Sequence, residues 1–255
     1  MKYSPLQHAL EAERRLDLVA VLGPEARLAV ISCAPLVNRN TEQLLVVDIG
    51  GGSTELVWID LSLVAPEDRP RAIMRLHRGF QVEPGGARVV DWISVPLGVA
   101  TLKDQFIDVE DDSARFALMS WFFEESLATF SPATTAQPRK GFQIIGTSGT
   151  VTTVAASFLG LRRYDRAKVD GLVMSSDQID LVIREYLALG PEGRRTDPRI
   201  GRDRHTLIMS GAAILQALMR IWPTDQLSVA DRGLREGLLY AQMTADGVLG
   251  DGPFA

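Results

Sequence analysis

Residues 44–60, LLVVDIGGGSTELVWID, are two apolar runs joined by three consecutive glycines, with Asp48 just before them and Glu55 just after. Each run is short and rich in β-branched residues, so the stretch reads as a hairpin whose turn is the glycine run. A connecting turn seldom needs three residues without side chains. Glycines let a backbone take positive φ and bring several amides to one point. Such a cluster of donors suits an anion, phosphate above all. Gly50, Gly51 and Gly52 are therefore a candidate phosphate cradle, with hydroxyl donors added by Ser53 and Thr54. Asp48 and Glu55 repel phosphate oxygens, so they make sense as ligands of a hard divalent cation. Mg2+ takes one or two carboxylates together with substrate phosphates.

The rest of the chain sets bounds on this reading. Its 255 residues suffice for one large or two modest domains, and 46% hydrophobic with 23% charged residues is an ordinary soluble composition. A net charge of −5 argues against nucleic-acid binding by bulk charge. The single cysteine, Cys33, excludes an intrachain disulfide; it lies in the apolar run AVISCAP and reads as core. No apolar run reaches the ~18 residues of a membrane span, and the N-terminus carries no secretory h-region. The expected location is the cytoplasm.

Along the chain, residues 6–15 suit a helix, 16–22 a strand, EARLAVISCA a helix and PLVNRNTEQ a loop. After the hairpin, RAIMRLHRGF (71–80) reads as a third strand and DWISVPLG (91–98) as a fourth. VATLKDQF and SARFALMSWFFEESLATF carry apolar residues at helical spacing. Residues 132–141 form a linker, and FQIIGTSGTVTTVAASFLG is strand, turn, helix. SSDQIDLVIREYLALG opens on serine caps and closes on glycine. HTLIMSGAAILQALMRIW is a helix, DQLSVADRGLREGLLYAQM is strand, turn, helix, and 246–255 is a tail. The pattern is mixed α/β, with antiparallel strands first and strand–helix alternation after.

Two further turns carry chemistry. Gly146-Thr147-Ser148-Gly149 follows an apolar strand and opens a helix, so free amides and the positive helix end face any ligand there. In VADRGLREG, Asp231 suits an N-cap that also pairs with Arg235. Arg202, Arg204, Arg232 and Arg235 are basic candidates near these turns. Glu25 by itself is only a glutamate at a helix start. His8, His77 and His205 share no metal spacing.

With these pieces together, the sequence resembles the exopolyphosphatase / guanosine pentaphosphate phosphatase family of the actin-like ATPase superfamily. VVDIGGGSTELV, SVPLGVATLKDQF, IIGTSGTVTTVAA, RIGRDRHTLIMSGAAIL and VADRGLREGLL match its blocks in order, over about Pro24 to Leu239. The resemblance implies an actin-like ATPase (ribonuclease H-like) α/β domain and a hydrolase that releases terminal phosphate from polyphosphate or guanosine pentaphosphate with Mg2+. It makes Glu25, 23 positions ahead of Asp48, the base that activates water. It makes Asp48 and Glu55 the metal acids, and the two glycine turns the phosphate sites.

Family members have two domains around a cleft. The first domain's aspartate–glycine–serine–asparagine loop is not found in this sequence. The expected organisation is a remnant of that domain and hinge over 1–27, the second domain over 28–245, and a tail over 246–255. A homodimer or a separately encoded first domain would complete the cleft. The family's Arg-Ala-Asp reads Arg204-His205-Thr206 here, without the aspartate. The competing expectation is a phosphate- or alarmone-binding module without turnover.

Overall fold

The computed structural model describes residues 23–76, 86–130, 141–201 and 203–248. The strand expected at 16–22, nearly all of the linker at 132–141, His8, His77, Arg202 and most of the tail lie outside them.

The chain opens with helix α1 (Pro24–Cys33), which passes into a 3-10 turn, and then the hairpin β1 (Gln43–Ile49) and β2 (Thr54–Asp60). Helix α2 (Arg69–Arg75), strand β3 (Arg88–Val95), and helices α3 (Val99–Gln105) and α4 (Asp112–Ser126) follow. The second half runs β4 (Phe142–Thr147), α5 (Gly149–Phe158), α6 (Arg166–Val169), β5 (Val173–Met174), α7 (Ser176–Thr196), α8 (Ile208–Ile221), β6 (Leu227–Ala230) and α9 (Leu234–Ala245). The strands form one sheet in the order β3-β2-β1-β4-β6-β5. Pairing is antiparallel through β3-β2-β1, parallel from β1 to β4 to β6, and antiparallel again at β5. This is the mixed sheet expected from the pattern of runs.

Alternation along β1 decides what covers each face. Leu45 and Val47, with Leu56, Trp58 and Ile144, point into a cluster closed by α4, α5, α7 and α8. Leu44 and Val46, with Val57, Ile59 and Ile145, point the other way, onto Ala26, Val30 and Cys33 of α1 and Ile73 of α2. Cys33 is fully buried, and burial pushes its thiol up to about 12, so it is an inert core residue. Helix α9 packs against α1. Gly237 permits this, because a Cβ there would run into the Leu28 carbonyl. The boundary expected between residues 27 and 28 falls inside α1, whose Ala26 and Val30 share one cluster.

One expected strand is a helix. Within 71–80 the described residues continue α2, entered through Pro70 at its first turn. Ile73 and Leu76 are buried three positions apart, the spacing of a helix face, whereas alternation would have put them on opposite sides of a strand. Arg69 anchors the helix by donating to the carbonyls of Val64 and Arg39. The third strand is instead β3, which begins ahead of Asp91 and stops before Pro96.

Helix starts follow local chemistry. Ser175 caps α7 by accepting from the Gln178 amide at 3.2 Å, while the Gln178 side chain accepts from the Ser175 amide at 2.9 Å. The first helical segment closes on Gly190 as expected, and a second segment, entered through Pro191, follows it. The glycine stands at φ 62°, kinks the chain, and helix resumes to Thr196.

Candidate functional site

The sheet's register assembles the site. Asp48 lies opposite Glu55 on β2 and opposite Thr147 on β4, and Thr147 lies opposite Ala230 on β6. All four have the parity of Val46, Val57 and Ile145, so they face the α1 side, at the carboxyl ends of β1, β4 and β6. That edge is where open α/β sheets bind ligands. Glu25 stands exposed in the first turn of α1, on the same side.

Asp48 has its ionisation pushed up to about 6, first by burial, then by the negative charges of Glu55 and Glu25, and against a lowering hydrogen bond from Thr147. Among the described residues no cation figures in the groups acting on it. Glu55 is oriented by two hydroxyls, Ser53 Oγ donating to Oε1 at 2.6 Å and Ser94 Oγ at 2.9 Å. Among the described residues no three His, Cys, Asp or Glu side chains form a closed metal cage. Three acids with no ion pair among the described residues, two of them side by side, fit a divalent cation that keeps open positions for water and phosphate. Asp48 and Glu55 are the two that lie opposite each other, on β1 and β2.

The glycine turn is built differently from the expectation. None of Gly50, Gly51 and Gly52 has positive φ. The Gly50 amide closes the turn onto the Ser53 carbonyl at 2.9 Å. The Gly50 and Gly51 carbonyls accept from the Val99 and Ala100 amides at 3.0 and 2.9 Å, and the Gly52 carbonyl accepts from Thr101 Oγ1 at 3.0 Å. The start of α3 thus pins the loop by its carbonyls. This close approach requires Gly98, where a Cβ would strike the backbone of Gly50 and Gly51. Gly51 and Gly52 are exposed, and a Cβ on either would meet nothing within 4 Å. Their value is the open space they leave beside the loop. The hydroxyls expected to help are engaged inside. Thr54 is fully buried and donates to the Leu97 carbonyl at 2.8 Å, and Ser53 donates to Glu55.

At the second turn, Gly146 lies within β4, where a Cβ would press on Val151 at 3.1 Å; its role is packing. Thr147 is buried and its hydroxyl donates to the Arg232 carbonyl at 2.8 Å. Ser148 (φ 156°, ψ 166°) is the single non-glycine residue at positive φ among those described, and its hydroxyl caps α5 at the Val151 amide. Arg204 lies across Gly149, donating to its carbonyl and to Thr153 Oγ1 at 2.8 Å.

The third turn corrects an expectation. Asp231 does not cap α9; Gly233 holds that position, and its amide donates to Glu236 at 2.9 Å. Asp231 instead accepts from the Tyr164 hydroxyl at 2.7 Å and pairs with Arg166. Burial and the Asp231 carboxylate keep the Tyr164 phenol well above its ordinary range. Arg232 is clamped by Asp170.

A cavity of about 430 Å3 opens between these turns. Asp48, Thr147, Ser148, Gly149, Arg204 and the 231–236 turn line it. Gly50–Thr54, Glu55, Glu25 and Gly146 are not among its described walls, so Asp48 stands between this cavity and the glycine loop. Sequence reasoning had not assigned Gly98, Ser94, Tyr164, Arg166 and Asp170. Only Gly98 carried a signal, as the glycine immediately before α3.

A mixed sheet with helices on both faces and glycine turns at the carboxyl edge of its central strands is an actin-like ATPase-type domain. The chain belongs to the Ppx/GppA phosphatase family, whose model matches residues 22–246. It is 26% identical in sequence to the Aquifex aeolicus Ppx/GppA family member of known structure, with a TM-score of 0.64 over 87% of this chain and 62% of that one. It shares the fold of an exopolyphosphatase from Cytophaga hutchinsonii at a TM-score of 0.65 and 21% identity, covering 87% of this chain and 64% of that one. A guanosine-5'-triphosphate,3'-diphosphate pyrophosphatase of Aeromonas salmonicida is 25% identical over 233 residues, which are 90% of this chain and 40% of that protein. The chain thus spans less than half of that curated relative and under two thirds of these solved structures.

Proposed function

We propose that the chain acts as a phosphoanhydride hydrolase, releasing terminal phosphate from inorganic polyphosphate or from guanosine pentaphosphate. The observation that carries this is Asp48, a half-buried carboxylate whose ionisation is opposed by Glu55 and Glu25 with no cation among the described residues acting on it, next to a loop with open space at two glycines. Family membership supports the reaction class, and the names of the relatives above support the two substrates.

The exposed amides of Gly51 and Gly52 bind oxygens of the phosphate on one side of Asp48. The α5 end at Ser148 and Gly149 offers backbone donors on the other. Asp48 and Glu55 would hold Mg2+, which when bound would supply positive charge against the phosphate oxygens. Glu25, exposed at the start of α1, orients a water and takes its proton.

The test is phosphate release from polyphosphate and from guanosine pentaphosphate by the full chain, with Mg2+ and with EDTA. Release that needs Mg2+ is expected, and Glu25→Gln should lower it by about 100-fold or more, the scale of a lost general base. No release by the wild type would overturn the reading and leave a phosphate-binding module; an unchanged Glu25→Gln rate would remove the base assignment.

A further inference from the structure

Ser94 stands near the end of β3, the outermost strand on its side of the sheet. It lies in register with Glu55 on β2, and Glu55 lies in register with Asp48 on β1. The three side chains make one row across the sheet, on the face of Trp92, Val57 and Val46. Residues directly opposite in an antiparallel pair stand about 5 Å apart at Cβ, close enough for a serine to reach a glutamate. Ser94 Oγ donates to Glu55 Oε1 at 2.9 Å. Ser53 Oγ donates to the same oxygen at 2.6 Å.

This load on the carboxylate is uneven. An ionised carboxylate accepts at either oxygen, and a hydroxyl has one proton to give. Both serines spend theirs on Oε1, and among the described residues no hydrogen bond or ion pair reaches Oε2. The two hydroxyls also differ in what carries them. Ser53 belongs to the glycine turn, beside the open space that a phosphate would enter. Ser94 belongs to a strand laddered to β2, with buried Val95 after it. A glutamate side chain has several rotatable bonds, and a fixed partner limits them. The strand-borne hydroxyl is that partner.

We propose that Ser94 is a positioning residue for the site: by holding Oε1 of Glu55 from β3, it keeps Oε2 available to a divalent cation shared with Asp48. The inference rests on the reading of Asp48 and Glu55 as metal-site acids.

The experiment compares the full chain as wild type, Ser94→Ala, Ser94→Thr and Glu55→Gln. Mn2+ alone is the probe, followed by electron paramagnetic resonance, because it takes the same oxygen ligands as Mg2+. Phosphate release with Mg2+ gives kcat and KM. Ser94 is exposed, so Ser94→Ala should melt like the wild type. It should weaken Mn2+ binding and lower kcat about 10-fold, the lower end for losing a partner behind a metal ligand, with KM within about threefold. Ser94→Thr keeps the hydroxyl on a residue that suits a strand, and should return both values to within about threefold of the wild type. Wild-type Mn2+ affinity in Ser94→Ala, or a loss that Ser94→Thr does not regain, would overturn the inference. The readings fail separately. A wild type that binds Mn2+ but releases no phosphate defeats the proposed activity, while the Mn2+ titrations still decide the role of Ser94. A Glu55→Gln variant that binds Mn2+ like the wild type defeats Glu55 as a metal-site acid, and the role of Ser94 with it.

Discussion

Asp48 is held in a state that opposes its own charge. Its native ionisation lies at about 6, above the ordinary 3.8, so the folded chain binds a proton more tightly than the unfolded one. Stability from this group is present in acid and falls as pH rises from about 4 to about 6, by at most about 3 kcal/mol. Asp48→Asn should therefore raise the melting temperature at pH 7.5 and leave it unchanged near pH 3.5; equal effects at both would contradict this origin. The glycines divide into two kinds that the sequence could not distinguish. Gly98→Ala places a methyl against the Gly50 and Gly51 backbone and should cost about 1–3 kcal/mol. Gly51→Ala points into open space and should leave stability within about 0.5 kcal/mol. It should still weaken phosphate release about 10- to 100-fold by blocking the approach. Thermal melts beside rate measurements separate the two.

Elements show why a run of residue types can mislead. Residues 71–80 read as a strand from the sequence, yet in their described part a proline at the start and burial three apart make a helix. Asp231 was read as a cap because aspartate favours that place, but Tyr164 and Arg166 from a distant segment recruit it. Tertiary partners of this kind have no local signature. The same holds where α4 meets α7. Arg194, 4% exposed, donates to Asp112 at 2.7 Å and to the Tyr186 carbonyl. Asp112→Asn leaves that cation without its counter-charge and should cost about 2–4 kcal/mol, the partly open position of Asp112 placing it toward the lower end for buried pairs. Denaturant midpoints measure it, and a change below about 0.5 kcal/mol would mean that solvent carries the arginine.

At the scale of the molecule, one sheet with two covered faces places the acids of β1 and β2 and the turn after β4 on one edge. The aromatic side of that sheet is closed by Trp222, whose ring lies 5.8 Å from Trp58 and 5.9 Å from Phe130. Among the described residues no helix is long and apolar enough to cross a membrane. The chain carries a net charge of −5, and its cavity arginines 166 and 232 are paired with carboxylates. Gel-shift assays with duplex DNA at about 0.1 M salt should show no complex, since binding by charge needs many unpaired cations along one face. A salt-sensitive complex would mean that a basic surface exists beyond these pairs.

The amino-acid sequence by itself determined the hairpin with its glycine turn and the strand–turn–helix units. Each of these depends on neighbours a few residues apart. Only the tertiary structure decided that Glu25 acts on Asp48, that Gly98 pins the glycine loop, that the Thr54 and Thr147 hydroxyls turn inward, and that Asp170 clamps Arg232. Those contacts join residues tens of positions apart, and their partners are chosen by the order in which the strands pack.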